Sequence, residues 1–165
     1  DSKGHFYEGV YNRFMVDLVY SKLMCKGVNA KKIADSKKDV FLSKRVASVN
    51  KIVKENKNVI FLSFHCDGVS NPKAHGFGTF VSFKPSKNSV NLARSINSGY
   101  VEFNPTIKDR GIKYKNLKMV RETKCPAVLV ECGFMTNLED CRYLLENFEE
   151  ISDGVVAGII NYLEQ

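Results

Sequence analysis

Apolar residues recur along the chain at spacings that predict several amphipathic helices. From residue 8 to residue 26 they return every three or four positions, which predicts one helix that ends at Gly27. The same spacing predicts further helices at 39–57, at 86–101, from Asn137 onward, and at 152–163. Asp39 and Asn137 each stand where a helix N-cap is expected.

Short apolar runs between these helices predict strands. The runs at 59–65 and 126–130 are apolar along almost their whole length, which is typical of strands buried on both faces. Weaker runs predict strands at 28–34, 76–83 and 117–120, and residues 104–115 have the composition of an exposed basic loop. Alternating helices and strands predict an α/β fold with a mainly parallel twisted sheet and helices on both faces.

Polar residues follow the two most apolar strands at the point where each strand ends. His65 closes the first run and Glu131 follows the second. Ligands bind beyond the carboxyl ends of parallel strands, and the N-terminus of a neighbouring helix lies at the same edge. We therefore expect Glu8, in the first turn of the first helix, to lie near His65 and Glu131.

Two carboxylates and a histidine at one sheet edge suggest a catalytic zinc site. Such sites use three ligands of the His and Glu type and leave one position open. In this hypothesis Glu8 and His65 are ligands and Glu131 is the general base, with one ligand still to be found. Cysteine nucleophiles are disfavoured, because Cys66 and Cys132 follow His65 and Glu131 directly and so point to the opposite side of their strands.

Length and composition indicate one globular domain, residues 1–165, and exclude several classes of protein. Its 44% hydrophobic and 26% charged residues are ordinary for such a domain, and the longest apolar runs are too short for a membrane span. No signal-peptide pattern opens the chain at Asp1. The five cysteines lack the spacing of a disulfide framework or a CxxC site, which favours synthesis in a reducing compartment.

Positive charge is concentrated in the first three-quarters of the chain. Residues 1–125 carry 24 Lys and Arg against 10 Asp and Glu, whereas residues 126–165 carry 1 against 8. A basic surface of this kind suits nucleic acid, an anionic membrane or an anionic wall polymer, and it also occurs on proteins that simply need solubility. No motif supports nucleic acid specifically, so no nucleic-acid partner is predicted.

Five motifs follow one another along the chain. They lie at 8–12 (Glu-Gly-Val-Tyr-Asn), 63–67 (Ser-Phe-His-Cys-Asp), 76–80, 110–121 and 126–134 with Asn137 and Asp140. In this order they resemble the motifs of zinc-dependent N-acetylmuramoyl-L-alanine amidases of the Amidase_3 type, the catalytic domains of bacterial cell-wall hydrolases and phage endolysins. The last motif is the most specific match, and Asp67 stands where that family usually has Asn.

The resemblance implies a function at the bacterial cell wall. It makes Glu8 and His65 ligands of Zn²⁺, Glu131 the catalytic acid and base, and peptidoglycan the substrate. The bond cleaved would be the amide between the lactyl group of N-acetylmuramic acid and L-alanine. A cell-wall-binding domain in a longer parent protein is a further expectation.

One part of the family pattern is missing. Its first ligand is a His in a Gly-His-Gly turn after the first strand, and this chain has neither before Glu8. Either the strand and its His lie upstream of Asp1, or His5 takes the ligand's place. Two alternatives remain: a non-catalytic, degenerate amidase-like module that only binds peptidoglycan, and a basic nucleic-acid-binding domain.

Overall fold

Helices and strands alternate through most of the chain in the computed structural model, which describes residues 6–34 and 39–165. Its elements are α1 (Glu8–Cys25), α2 (Leu42–Glu55), β1 (Phe61–Asp67), β2 (Phe77–Val81), α3 (Lys87–Phe103), β3 (Asp109–Tyr114), α4 (Lys118–Glu122), β4 (Ala127–Phe134), α5 (Leu138–Glu146) and α6 (Phe148–Leu163). Among the described helices, none has the length and apolarity that a membrane span requires.

The described strands form one four-stranded sheet in the order β1-β4-β2-β3. β1 pairs with β4 in parallel, and β2 pairs with β3 in parallel. β2 and β4 run antiparallel, so the sheet is mostly parallel with one antiparallel pair. These pairings confirm the α/β class and the mainly parallel sheet, while the predicted twist and two-sided helical cover stay predictions.

Alternate residues of β4 belong to two different hydrophobic clusters, because successive side chains of a strand point in opposite directions. Val128 and Val130 pack in a large cluster with residues of α1, α3 and α6. Ala127 and Leu129 pack in a smaller cluster with residues of α2 and α4. β4 is thus the central strand of the core, as its continuous apolar run predicts.

The helices α3 and α6 approach each other closely through three glycines. A Cβ atom added to Gly99 would lie 2.4 Å from the carbonyl oxygen of Gly154 and 2.6 Å from the amide nitrogen of Gly158. Real Cβ atoms do not come this close to backbone atoms, so the contact requires glycine at position 99. These glycine contacts hold α6 against α3.

Three predicted elements are wrong. Residues 28–34 form no strand, and Val28 and Ala30 instead pack against the large cluster from an irregular segment. The run at 117–120 lies at the start of the helix α4, because an apolar run of four residues fits a strand or a buried helical turn equally well. The supposed loop at 104–115 contains β3, an edge strand whose mostly polar and only partly buried residues give no hydrophobic signal.

Asn137 forms the helix cap expected of it and Asp39 does not, while Ser86 forms a cap that was not predicted. Asn137 accepts a hydrogen bond from the Asp140 amide at 3.0 Å, and Ser86 accepts one from the Ser89 amide at 3.0 Å. Asp39 does not cap α2, which begins only at Leu42; its carboxylate lies 2.8 Å from a guanidinium nitrogen of Arg45. The N-cap of α2 is instead Phe41, whose side chain has no hydrogen-bond acceptor, so no side chain caps this helix.

Candidate active site

The parallel strands β1 and β4 bring His65 and Glu131 side by side. The two residues are register partners in the second half of their strands, which continue to Asp67 in β1 and to Phe134 in β4. Paired residues of neighbouring strands project their side chains from the same face of the sheet. The edge identified from the sequence therefore carries an imidazole and a carboxyl group next to each other.

The N-terminus of α1 supplies a second carboxylate to this edge. Oε1 of Glu8 lies 3.0 Å from Nδ1 of His65, and Asn12, one helical turn later, donates to the same oxygen at 3.0 Å. Oγ of Ser63 lies 3.0 Å from the other ring nitrogen of His65. The imidazole is thus held at both nitrogens, and Glu8 lies beside His65 as its position in the helix predicts.

Glu131 is mostly buried, and its environment favours the neutral carboxyl. Burial and, to a smaller extent, the nearby charges of Asp67 and Glu8 together raise the pKa of Glu131 to about 8. Its Oε2 atom is buried and has no hydrogen-bond partner within the described residues. A carboxyl with a pKa near neutrality can both accept and release a proton under ordinary conditions.

Asp67 and Arg110 form an ion pair beside Glu131. Nη1 of Arg110 donates to Oδ2 of Asp67 at 3.0 Å, and the guanidinium carbon lies 4.3 Å from the centre of the Phe134 ring. Arg110 belongs to β3, at the far edge of the sheet from β1. Its side chain therefore crosses the sheet to reach the site, a contact that the sequence analysis did not foresee.

The family model for N-acetylmuramoyl-L-alanine amidases, Amidase_3, matches residues 2–161. The chain belongs to this amidase family. A cell wall amidase of Bacillus anthracis, described as uncharacterized, is 37% identical over 132 residues, which are 74% of this chain. The uncharacterized protein YqiI of Bacillus subtilis is 32% identical over 96% of the chain. The chain spans 24% of the length of the first relative and 76% of the second.

Solved amidase structures share this fold. An N-acetylmuramoyl-L-alanine amidase from Clostridium difficile 630 superposes with a TM-score of 0.90 at 25% identity, over 99% of this chain and 87% of that one. The catalytic domain of CwlV, an N-acetylmuramoyl-L-alanine amidase from Bacillus (Paenibacillus) polymyxa, superposes with a TM-score of 0.83 at 27% identity. That superposition covers 96% of this chain and 86% of the other.

Two of the three predicted zinc donors, Glu8 and His65, lie together in this amidase domain. A His nitrogen and a Glu oxygen already face each other, and both are typical zinc ligands. The buried Oε2 of Glu131 also lacks a partner among the described residues. Within residues 6–34 and 39–165, no group of three His, Cys, Asp or Glu side chains could hold a metal ion. His5, the candidate third ligand, lies outside the described residues.

Asp140 holds the ends of two strands next to the site. Its Oδ2 atom accepts hydrogen bonds from the amides of Gly76 and Phe134, both at 2.8 Å, and the residue is 6% exposed. The carboxylate thus joins the start of β2 to the end of β4. In the sequence Asp140 has only the appearance of an acid in the first turn of a helix, so this role was missed.

The cysteines and the loop histidine take no part in the site. Cys66 and Cys132 lie in the large hydrophobic cluster, and burial raises the pKa of both thiols well above the usual range. All five cysteines are free. His75 is an exposed loop residue, and its Nδ1 atom contacts the Lys73 carbonyl at 2.9 Å.

Proposed function

We propose that this domain hydrolyses the amide bond between the lactyl group of N-acetylmuramic acid and L-alanine in peptidoglycan, with Zn²⁺ as its cofactor. It would act at the bacterial cell wall. Membership of the amidase family supports the reaction type. The neighbouring positions of Glu8, His65 and Glu131 at one sheet edge support the proposed roles.

The environment of Glu131 is the observation that carries the proposal. A carboxyl with a buried oxygen and no partner among the described residues is costly in a protein that does not use it. Its pKa of about 8 suits a group that takes up a proton and gives it back near neutral pH. Glu131 is therefore the acid and base of the proposed reaction.

Glu8 and His65 would hold the zinc ion, with a third ligand from outside the described residues, for which His5 is the candidate. When bound, zinc polarises a carbonyl and lowers the pKa of water. Asn12 and Ser63 contact the two ligands and fix their orientation, as partners of metal ligands commonly do.

The chain's own residues then account for the proton transfers. Glu131 accepts a proton from the water that attacks the amide carbonyl. It passes a proton to the nitrogen of L-alanine, so that the C–N bond breaks and the peptide leaves as an amine. Because one residue performs both transfers, its carboxyl must change protonation state twice in each cycle.

Digestion of purified sacculi tests the proposal. The domain should release new amino termini of L-alanine and produce no new reducing sugar ends, since the glycan stays intact. Removal of metal with a chelator should abolish the release, and added zinc should restore it. Activity that survives thorough chelation would contradict metal dependence, and new reducing ends would contradict the amidase reaction.

A degenerate module that only binds peptidoglycan is the second candidate, because the described residues provide two zinc donors rather than three. Measuring zinc per purified chain separates the two functions. The amidase should retain close to one zinc ion, whereas a module with two ligands should lose it on dialysis. Retention on sacculi but not on DNA at physiological salt would in turn contradict the nucleic-acid alternative.

A further inference from the structure

An irregularity in the edge strand β3 directs Arg110 across the sheet. Phe77 pairs with Asp109 and Thr79 with Ile112, so the two residues Arg110 and Gly111 together face the single residue between Phe77 and Thr79. Gly111 has a φ angle of 69°, which favours glycine. Bulges of this kind bend a strand and re-aim a side chain, and they are common beside active sites.

Gly78, the residue opposite this bulge, leaves a path for the arginine. It pairs directly with Glu131 across the antiparallel strands, so the two residues share one face of the sheet. A Cβ atom at Gly78 would lie 3.4 Å from Nε of Arg110. The arginine side chain therefore passes over Gly78 on the face that carries His65 and Glu131.

The guanidinium uses only part of its hydrogen-bonding capacity. Nη1 donates to Asp67, and the flat face of the group lies against the Phe134 ring. Nε and Nη2 are both buried and have no hydrogen-bond partner within the described residues. Since a buried donor without a partner is destabilising, and more so when charged, a purely structural ion pair leaves these two atoms unexplained.

The two free nitrogens lie on the same edge of the planar group. Nε–H and one N–H of Nη2 point in parallel, which matches the two oxygens of a carboxylate. The Arg110 side chain is 15% exposed, so part of it is accessible to solvent. Lys115 lies 4.8 Å from the Phe80 ring and adds a second positive charge near Glu131, where Asp67 and Glu8 carry the negative charges.

Glu131 does not occupy this edge. Among the described residues the ion-pair partner of Arg110 is Asp67, and Oε2 of Glu131 has no hydrogen-bond partner either. Nε and Nη2 of Arg110 and Oε2 of Glu131 thus lie on one face of the sheet, and none of them forms a hydrogen bond with the others. A ligand that carries both an amide for Glu131 and an anion for Arg110 would satisfy both groups.

We propose that the Nε–Nη2 edge of Arg110 binds a carboxylate of the peptide that follows the scissile amide. This inference rests on the proposed function, because it takes the position of the cleaved bond from Glu131. Arg110 then selects peptides whose carboxyl group after L-alanine is free over those in which it is an amide. An amide offers one acceptor oxygen and no charge, so it forms at most one of the two hydrogen bonds.

Binding and turnover of two matched muramoyl peptides test the inference. One is N-acetylmuramoyl-L-alanyl-D-glutamate with its α-carboxylate free, and the other has that group as the amide. The zinc-loaded Glu131→Gln chain gives the dissociation constants by calorimetry, and the wild-type chain gives KM and kcat. The free carboxylate should bind about 10- to 100-fold more tightly and lower KM, with kcat little changed.

Variants of Arg110 should remove this discrimination. Arg110→Lys keeps a cation beside Asp67 but loses the parallel pair of donors, and Arg110→Gln loses the charge as well. Each variant should bind the two peptides with about equal affinity. Its affinity for the peptide with the amide should stay near that of the chain that keeps Arg110. Lys113→Gln, an exposed cation on the same strand, is the matched control and should keep the discrimination. Thermal unfolding checks that each variant is folded.

The outcomes separate this inference from the proposed function. Equal binding of both peptides by the Glu131→Gln chain, or discrimination that persists in Arg110→Lys and Arg110→Gln, would overturn the role of Arg110. If both peptides are cleaved but equally well, the amidase reaction stands and the carboxylate site is wrong. If the peptides are distinguished through Arg110 but neither is cleaved, the carboxylate site stands and the proposed reaction is wrong.

Discussion

Glu131 shows how one position in a strand acquires a chemical role. Five apolar residues precede it, and its half-buried side chain lies beside His65 in the sheet. Water that would stabilise the carboxylate is excluded, and the negative charges of Asp67 and Glu8 oppose ionisation further. The pKa near 8 is therefore a consequence of the position of Glu131 in the sheet, next to Asp67 and Glu8.

This raised pKa predicts a pH-dependent stability difference between the metal-free wild type and Glu131→Gln. Below pH 4.5, the ordinary pKa, the carboxyl is protonated in the folded and the unfolded chain alike. Between pH 4.5 and about 8 the unfolded chain loses that proton and the folded chain keeps it, so the free energy of unfolding falls as pH rises. A glutamine does not titrate, so the free energy of unfolding of Glu131→Gln does not fall in this way. The variant should therefore become more stable relative to the wild type as pH rises across that range.

Urea unfolding with a chelator present, at several pH values from 4 to 9, measures the difference. The difference in the free energy of unfolding should grow by at most about 1.4 kcal/mol per pH unit between the unfolded-state and folded-state pKa values of Glu131. Above the folded-state pKa it should level off. A difference that stays constant from pH 5 to pH 8 would contradict a buried, neutral Glu131.

At the residue scale, the sequence predicted the polar side chains that follow apolar runs. It missed the side chain that reaches the site from the edge strand β3. His65 and Glu131 follow apolar runs, and Glu8 follows from the position of a helix N-terminus, so local patterns suffice to place them. Arg110 reaches the site only because β3 pairs with β2 and bulges opposite Gly78. Neither the pairing nor the bulge leaves a local pattern in the sequence.

Elements were predicted well where burial is strong and poorly where it is weak. The helices α1 and α3 have clear apolar periodicity and lie within two residues of their predicted limits, whereas β4 continues to Phe134 and α6 begins four residues early, at Phe148. The edge strand β3 is polar and exposed, so its existence depends on hydrogen bonds to a distant segment. The helix α4 has five residues, too few to establish a period.

At the scale of elements, Asp140 should matter far more than its neighbour Glu139. Both acids lie in the first turn of α5, but Asp140 is buried and accepts two amide hydrogen bonds, whereas Glu139 is exposed. Asp140→Ala leaves both amides without a partner and should lower the free energy of unfolding by about 2–3 kcal/mol. Glu139→Ala, the matched control, should change it by about 0.5 kcal/mol or less.

Chemical denaturation of the two variants beside the wild type provides the comparison. Asp140→Ala should also reduce activity, since the ends of β2 and β4 lie next to Glu131. Equal stability of Asp140→Ala and Glu139→Ala would show that the ends of the two strands are held by other contacts.

At the scale of the whole molecule, the uneven charge predicts how the domain meets its substrate. Residues 1–125 carry most of the positive charge, and wall polymers are anionic. Retention on sacculi should therefore decrease as salt rises, modestly near 0.15 M because the screening length there is already about 8 Å. Sedimentation with sacculi between 0.05 and 0.5 M salt measures this, and salt-independent retention would assign the lysines to solubility alone.

The most direct test of the whole account is the Glu131→Gln variant, assayed for zinc and for activity on the same preparation. The substitution removes the proposed acid and base and leaves Glu8 and His65 in place. Zinc per chain should equal that of the wild type, while the release of L-alanine amino termini from sacculi should fall by about 10²–10⁴-fold. A variant that has lost its zinc would make Glu131 a ligand, and a variant that keeps wild-type activity would contradict the proposed mechanism.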